Sequence, residues 1–212
     1  MIRKKDVKIV LSKVKGFKNP VPELEQYMTP PDVAADIMNI VRLHKKQSYS
    51  MVDLGSGTGM ISFAGALYGF SVKALEKDPK AVTIMRKNLA IINKKVGKNL
   101  EVSIINRDVR SFNDESDLVV MNPPFGIQEK DKNLVFLEKA FETSDSVFAL
   151  LHCSEKKEVE TRKFLKRFAN FHNFSTTILK TYKIQLPRKM FFHEKENKAI
   201  NMDFYYFEGK KV

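Results

Sequence analysis

Strand and helix segments alternate along this chain, and the sequence therefore predicts an α/β protein: a mostly parallel sheet covered on both faces by helices. Three observations carry that expectation. Candidate strands such as YSMVDL (49–54) and DLVVM (117–121) are short runs rich in Val, Leu and Met, the composition of strands buried on both sides. The segments between them have helical periodicity, and no central strand carries a proline. Two last strand-like stretches, 174–186 and 199–209, follow one another without a helix, which reads as an antiparallel addition at the sheet edge.

The elements follow in order. Residues 3–15 predict a short basic helix. Pro20 and Pro22 forbid regular helix in the connector after it, so 1–28 reads as a basic N-terminal arm packed on a domain of residues 29–212. TPPDVAADIMNIVRLHKK opens a helix with Thr29 as cap, Pro30 in the first turn, Asp32 near the positive dipole end, and Val33, Ile37, Ile40 and Val41 as its apolar stripe. The strand 49–54 leads to the helix GMISFAGALYG, closed by Gly69. The strand SVKALE leads to a helix with Asp78 as cap and Pro79 at its first position. LEVSIINR, DLVVM and SVFALLH supply three more strands. NLVFLEKAFETS and SEKKEVETRKFLKRFAN supply two more helices, the second with Glu and Lys/Arg at helical spacing.

The chain's 212 residues suffice for one well-buried core, and an apolar content of 43% excludes a disordered chain. No apolar run approaches the ~20 residues that span a bilayer, and the basic start lacks the apolar core of a secretory signal. A single cysteine, Cys153, excludes an internal disulfide and a Cys-rich zinc site, and no metal ligands are expected. A reducing compartment, cytosol or nucleus, is expected. The formal charge of +12 exceeds what a metabolite enzyme needs and points to nucleic acid.

Two constellations carry chemistry. In MVDLGSGTGM, the glycines Gly55, Gly57 and Gly59 follow a strand and precede a helix, so the backbone turns sharply and approaches a ligand closely. The spacing is not the G-x-G-x-x-G of dinucleotide binding. Asp53 ends the first strand, Glu76 the second and Asp108 the third. Glu76 suits a ribose and Asp108 an adenine amino group. Three carboxylates at successive strand ends suit a nucleoside with a positive sulfonium centre better than a dinucleotide phosphate, which favours S-adenosyl-L-methionine over NAD. The second constellation is VVMNPPFG (119–126). Pro123 and Pro124 have no N–H and a fixed φ. A carbonyl in such a turn is left free to accept a hydrogen bond, the Asn122 side chain offers a second acceptor, and Phe125 offers a flat face for a base. Two acceptors gripping both protons of a planar amino group would orient its delocalised lone pair for methyl transfer.

At these residues the chain resembles the Rossmann-like class I S-adenosylmethionine methyltransferases with an Asn-Pro-Pro-aromatic motif, which implies a seven-stranded, mostly parallel sheet with one antiparallel strand. LEQYMTPPDVAA, NPPFG, FLEKAF, LLH and LPRKMFFHEKENKAINMDF, in that order, resemble the small-subunit ribosomal RNA adenine-N6 methyltransferase family from about Phe17 to Phe207. That resemblance implies Gln26 and Thr29 touching the cofactor from the connector. Gly55, Thr58 and Met60 would line its methionine side, Glu76 its ribose, and Asp108 and Val109 its adenine. Asn122, Pro123, Pro124 and Phe125 would receive the target adenine. It also implies a small zinc-binding activator protein paired with an exposed sheet edge, for which VSIIN (102–106) is the candidate. Ser56 and Thr58 stand where the family commonly has cysteines, and Glu76 where Asp is frequent.

The remaining readings concern RNA. LPRKMFFHEKENK interleaves Arg188, Lys189, Lys195 and Lys198 with Phe191, Phe192 and His193, charge for phosphate and rings for bases. Lys4 and Lys5 of the arm join them as RNA-binding candidates. His152 reads as a packed histidine, and Cys153 lacks an activating partner. The leading expectation is N6-adenine methylation of small-subunit ribosomal RNA. The alternatives are a guanine N2 or protein glutamine acceptor, a non-catalytic RNA-binding ribosome assembly factor, and an NAD oxidoreductase.

Overall fold

In the computed structural model, seven strands form one sheet in the order β3-β2-β1-β4-β5-β7-β6. It describes residues 2–18, 20–21, 24–47, 49–124, 132–186 and 198–210. The helices are α1 (Lys4–Leu11), α2 (Pro31–His44), α3 (Met60–Leu67), α4 (Pro79–Val96), α5 (Lys132–Thr143) and α6 (Glu158–Phe171). The strands are β1 (Ser50–Leu54), β2 (Ser71–Glu76), β3 (Val102–Asn106), β4 (Leu118–Met121), β5 (Ser146–Cys153), β6 (Phe174–Leu186) and β7 (Lys198–Gly209). Strands β1 to β5 run parallel, and β7 lies antiparallel between β5 and β6. This is the Rossmann-like arrangement expected from the sequence, with β7 as its one antiparallel strand.

Alternation along the buried strands builds a core on each face. Leu118 and Val120 of β4 join one apolar cluster, Val119 and Met121 the other. The first cluster gathers α1 to α4, and Val7, Val10 and Leu11 of α1 are buried in it. The second lies under α5 and α6, with Leu137, Ala140, Leu165 and Ala169. Register levels the carboxyl ends of the central strands: Leu54 pairs with Leu75 on one side and Met121 on the other, so Gly55, Glu76 and Asn122 emerge side by side.

Helix α4 starts as the sequence predicts. The Asp78 side chain accepts from the Lys80 N–H, Pro79 takes the first helical position, and Gly97 closes the helix in the left-handed region. Helix α2 differs. Its cap is Pro30, no side chain caps it, and it begins at Pro31. Thr29 is therefore not a cap; it is buried, and its hydroxyl accepts from Asn122 instead. A tertiary partner has displaced a local one.

At the far end of the sheet, fully buried Asp203 of β7 accepts from Arg162 Nε (2.7 Å) and Nη2 (2.9 Å) of α6 and from the Thr181 hydroxyl (2.6 Å). Burial alone would raise this carboxyl, but those bonds outweigh it and hold it below its ordinary value. The pair ties α6 to the β6–β7 hairpin.

Candidate active site

A cavity of about 490 Å³ opens over the carboxyl ends of β1, β2 and β4. Open α/β sheets bind ligands at this place, where the strand order reverses about β1. Its wall brings together Gln26, Thr29, Asp53, Gly55, Gly57, Thr58, Met60, Glu76, Asp108, Val109, Asn122, Pro123 and Pro124, residues from across much of the chain.

The glycine turn forms the floor. Gly59 has φ +97°, and a Cβ there would stand 2.5 Å from two ring carbons of Phe63, so the residue shapes the turn without lining the cavity. The Gly57 N–H donates to Glu76 Oε2 (2.9 Å) and the Asp78 N–H to Glu76 Oε1 (2.8 Å). Glu76 thus buttresses the turn, and burial raises its carboxyl above the ordinary value. Asp53 is 1% exposed and accepts from the Ser62 hydroxyl (2.6 Å). Burial pushes it up to about 7. Asp108 differs: a fork of hydrogen bonds from Arg110 holds it at about 2, and its side chain caps the short 3-10 turn Val109–Ser111. The sequence suggested three bare carboxylates, but one of them is already matched by a guanidinium. Arg107, Arg110 and Lys77 also reach the wall.

Gln26 faces the cavity with its amide bonded at both ends: Oε1 accepts from the Val21 N–H (2.9 Å), and Nε2 donates to Asp78 Oδ2 (2.7 Å). It locks the connector onto the first turn of α4. Next to it stands the residue that sequence reading missed. Tyr27 donates its hydroxyl proton to Asn122 Oδ1 (2.5 Å), while Asn122 Nδ2 donates to Thr29 Oγ1 (2.9 Å). Burial raises the Tyr27 phenol far above its ordinary value, so it stays a proton donor at any working pH. The signal lay in the quoted LEQYMT block, where Tyr27 sits between two residues singled out as cofactor contacts. Phe17 and Phe136 were missed as well; their rings approach the turn at Gly57 and Gly55.

Other expectations fare unevenly. Phe125, Arg188, Lys189, Phe191, Phe192, His193 and Lys195 lie outside the described residues, as does the side chain of Lys198, the first residue of β7. Lys4 Nζ is bonded to Asp36 (2.7 Å), and Lys5 is exposed. The buried Cys153 thiol is pushed up to about 11, chiefly by burial, which leaves it unreactive. Among the described residues no helix is long and apolar enough to cross a membrane.

The cavity suits S-adenosylmethionine on its own chemistry. The Thr58 hydroxyl, 2% exposed and on the wall, has no partner within the described protein, a buried polar atom awaiting a ligand. Buried carboxylates at Asp53 and Glu76 favour a cationic guest.

Comparison with known proteins agrees. Residues 30–166 match the methyltransferase small domain family. The chain is 28% identical over 202 residues to the Drosophila melanogaster rRNA N(6)-adenosine-methyltransferase Mettl5, covering 93% of this chain and 92% of that one. It is 27% identical over 216 residues to the Danio rerio rRNA N(6)-adenosine-methyltransferase, covering 96% and 97%. A crystal structure from Pyrococcus horikoshii, of a protein provisionally described as an RNA methyltransferase, superposes with a TM-score of 0.83 at 38% identity, covering 99% and 97%.

Proposed function

This chain belongs to the methyltransferase small domain family and takes S-adenosyl-L-methionine as its cofactor, and from that premise we propose that it methylates the exocyclic N6 amino group of an adenine in small-subunit ribosomal RNA. The observation that carries the reading is the amide of Asn122, held at both ends beside the glycine turn. The identity of the Drosophila and zebrafish relatives supports adenosine as acceptor, and the +12 charge supports RNA over protein.

The cofactor supplies an electrophilic methyl group, so the acceptor nitrogen needs orientation and not prior ionisation. Asn122 provides it. Tyr27 and Thr29 fix the amide plane, with Oδ1 set as the acceptor and one of its two lone pairs still available. Among the described residues no hydrogen bond reaches the Pro123 carbonyl, and Pro124 cannot donate to it. Two such acceptors hold both protons of an adenine amino group and favour the pyramidal nitrogen of the transition state. Gln26 contributes by anchoring the connector that carries Tyr27 and Thr29, and Asp53 and Glu76, whose carboxyls burial raises, would ionise against the cofactor's positive charge beneath the site. β3 has β2 as its sole described neighbour, so its outer edge offers a strand for the activator protein that the family resemblance implies.

The test is transfer of labelled methyl to small-subunit RNA, with and without a candidate activator, followed by digestion to nucleosides. Label in N6-methyladenosine is expected, and Asn122→Ala should lower kcat by about 10²–10³. Label in N2-methylguanosine, or in protein, would overturn the assignment.

A further inference from the structure

Cations in this molecule are divided between those with a carboxylate and those without. Lys4, Lys45, Lys73, Arg110, Lys139, Arg162 and Lys180 each have an acidic partner within 4 Å. On α4 the pattern is reversed. From Pro79 to Asn99 there is no Asp or Glu, yet this stretch holds Lys80, Arg86, Lys87, Lys94, Lys95 and Lys98. All six are exposed, and none makes an ion pair with a described residue. Lys80, Lys87 and Lys94 recur every seven positions, two helical turns or about 10.5 Å apart, so they form one stripe along the outer side.

A second acid-free stretch touches this helix at Lys15. Residues 7–22 carry Lys8, Lys13, Lys15 and Lys18 and no carboxylate. The Asn88 side chain joins the two: Oδ1 accepts from the Lys15 N–H, and Nδ2 donates to the Lys15 carbonyl and to the Thr58 carbonyl of the glycine turn (2.9, 2.9 and 3.0 Å). The basic ground is thus bolted to the cofactor turn. The stripe also begins at the cavity, since Lys77 lines it and Asp78 caps α4.

We propose that the outer face of α4, together with Lys13 and Lys15, is a docking track for the phosphate backbone of RNA flanking the target adenine. The proposal rests on the methyltransferase reading only for the identity of the RNA. Charge complementarity selects the occupant. The stripe's lysines stand two turns apart, beyond the reach of i,i+4 pairing within the helix, and a polyanion laid along them gains by releasing its own condensed counterions. The face offers α4 no aromatic ring for base stacking, so it grips backbone and not sequence.

The experiment measures equilibrium binding of a small-subunit RNA fragment to the full chain across a salt series, without cofactor. Lys87→Ala/Lys94→Ala tests the track. Lys163→Ala/Lys166→Ala, two exposed lysines of α6 on the opposite face, is the control. Loss of two phosphate contacts should reduce the slope of log K against log salt by about 1.4. The α4 variant should show that reduction with a raised KM for RNA, an unchanged kcat and unchanged cofactor affinity, and the control should not. An unchanged slope, an equal change in the control, or stronger displacement by poly-glutamate binding than by RNA overturns the proposal. If the wild-type protein binds RNA with the α4-dependent slope but methylates no adenine, the functional assignment fails and the docking track stands.

Discussion

Replacing Tyr27 by Phe removes one oxygen and tests how Asn122 works. In the wild-type protein the phenol donates to Asn122 Oδ1 at 2.5 Å, and the other end of the amide is held by Thr29. A neutral hydrogen bond of this kind has a net worth of about 0.5–1.5 kcal/mol. With the bond gone, the amide keeps its Thr29 contact and gains freedom to rotate about it. If the bond serves to orient the acceptor in the transition state, the whole of its worth appears in the barrier, where about 1.4 kcal/mol is tenfold. Tyr27→Phe should therefore lower kcat about two- to twelvefold. The ring remains in place to wall the cavity, so the cofactor Kd should stay within about twofold. Initial rates at saturating RNA and cofactor give the first quantity, and titration calorimetry the second. An unchanged kcat would show that the amide needs no such clamp. A raised kcat would show that the phenol competes with the substrate for Oδ1. A cofactor Kd weakened as much as kcat would make Tyr27 a structural residue of the cavity wall. Any of these results refutes the orienting role.

Three further outcomes follow from the same geometry. Gly59→Ala places a Cβ 2.5 Å from the Phe63 ring at φ +97°, and should cost about 2 kcal/mol or more in urea unfolding with loss of cofactor binding; a cost below about 0.5 kcal/mol would refute it. Burial raises Asp53 to about 7, so the stability tied to this group is full below about pH 4 and is lost as pH rises through about 7. Asp53→Asn should flatten that part of the unfolding profile between pH 4 and 7, and an identical slope in the variant would count against it. Arg162→Met leaves Asp203 buried without its cation and should destabilise by about 3–5 kcal/mol. Adding Asp203→Asn should recover much of that loss in thermal unfolding, and no recovery would mean that Arg162 acts through packing alone.

Much of this protein was legible before any coordinates. The glycines after β1, the acids at three strand ends and the Asn-Pro-Pro turn are local signals. Each depends on what one residue type permits: positive φ at Gly59, a capping carboxylate at Asp108, a missing N–H at Pro123. Strand burial was equally readable, because an uninterrupted apolar run such as Leu118, Val119, Val120 and Met121 presents apolar side chains to both faces and so feeds both cores. Partnership between distant segments was not. Thr29 read as a helix cap because Thr before Pro-Pro-Asp is a good local cap, yet it bonds to Asn122, 93 positions away. Tyr27 carried no mark of its own beyond its neighbours, and Asp108 gave no hint that Arg110 would match its charge.

The sequence by itself determined the order of strands and helices, the glycine turn after β1 and the Asn-Pro-Pro turn after β4, because those follow from backbone freedom and side-chain periodicity within a few residues. Only the tertiary structure decided which side chains close the site and which cations are left without a carboxylate. Hydrogen bonds and ion pairs reach about 3–4 Å in space with no regard for separation along the chain, and packing alone sets those distances.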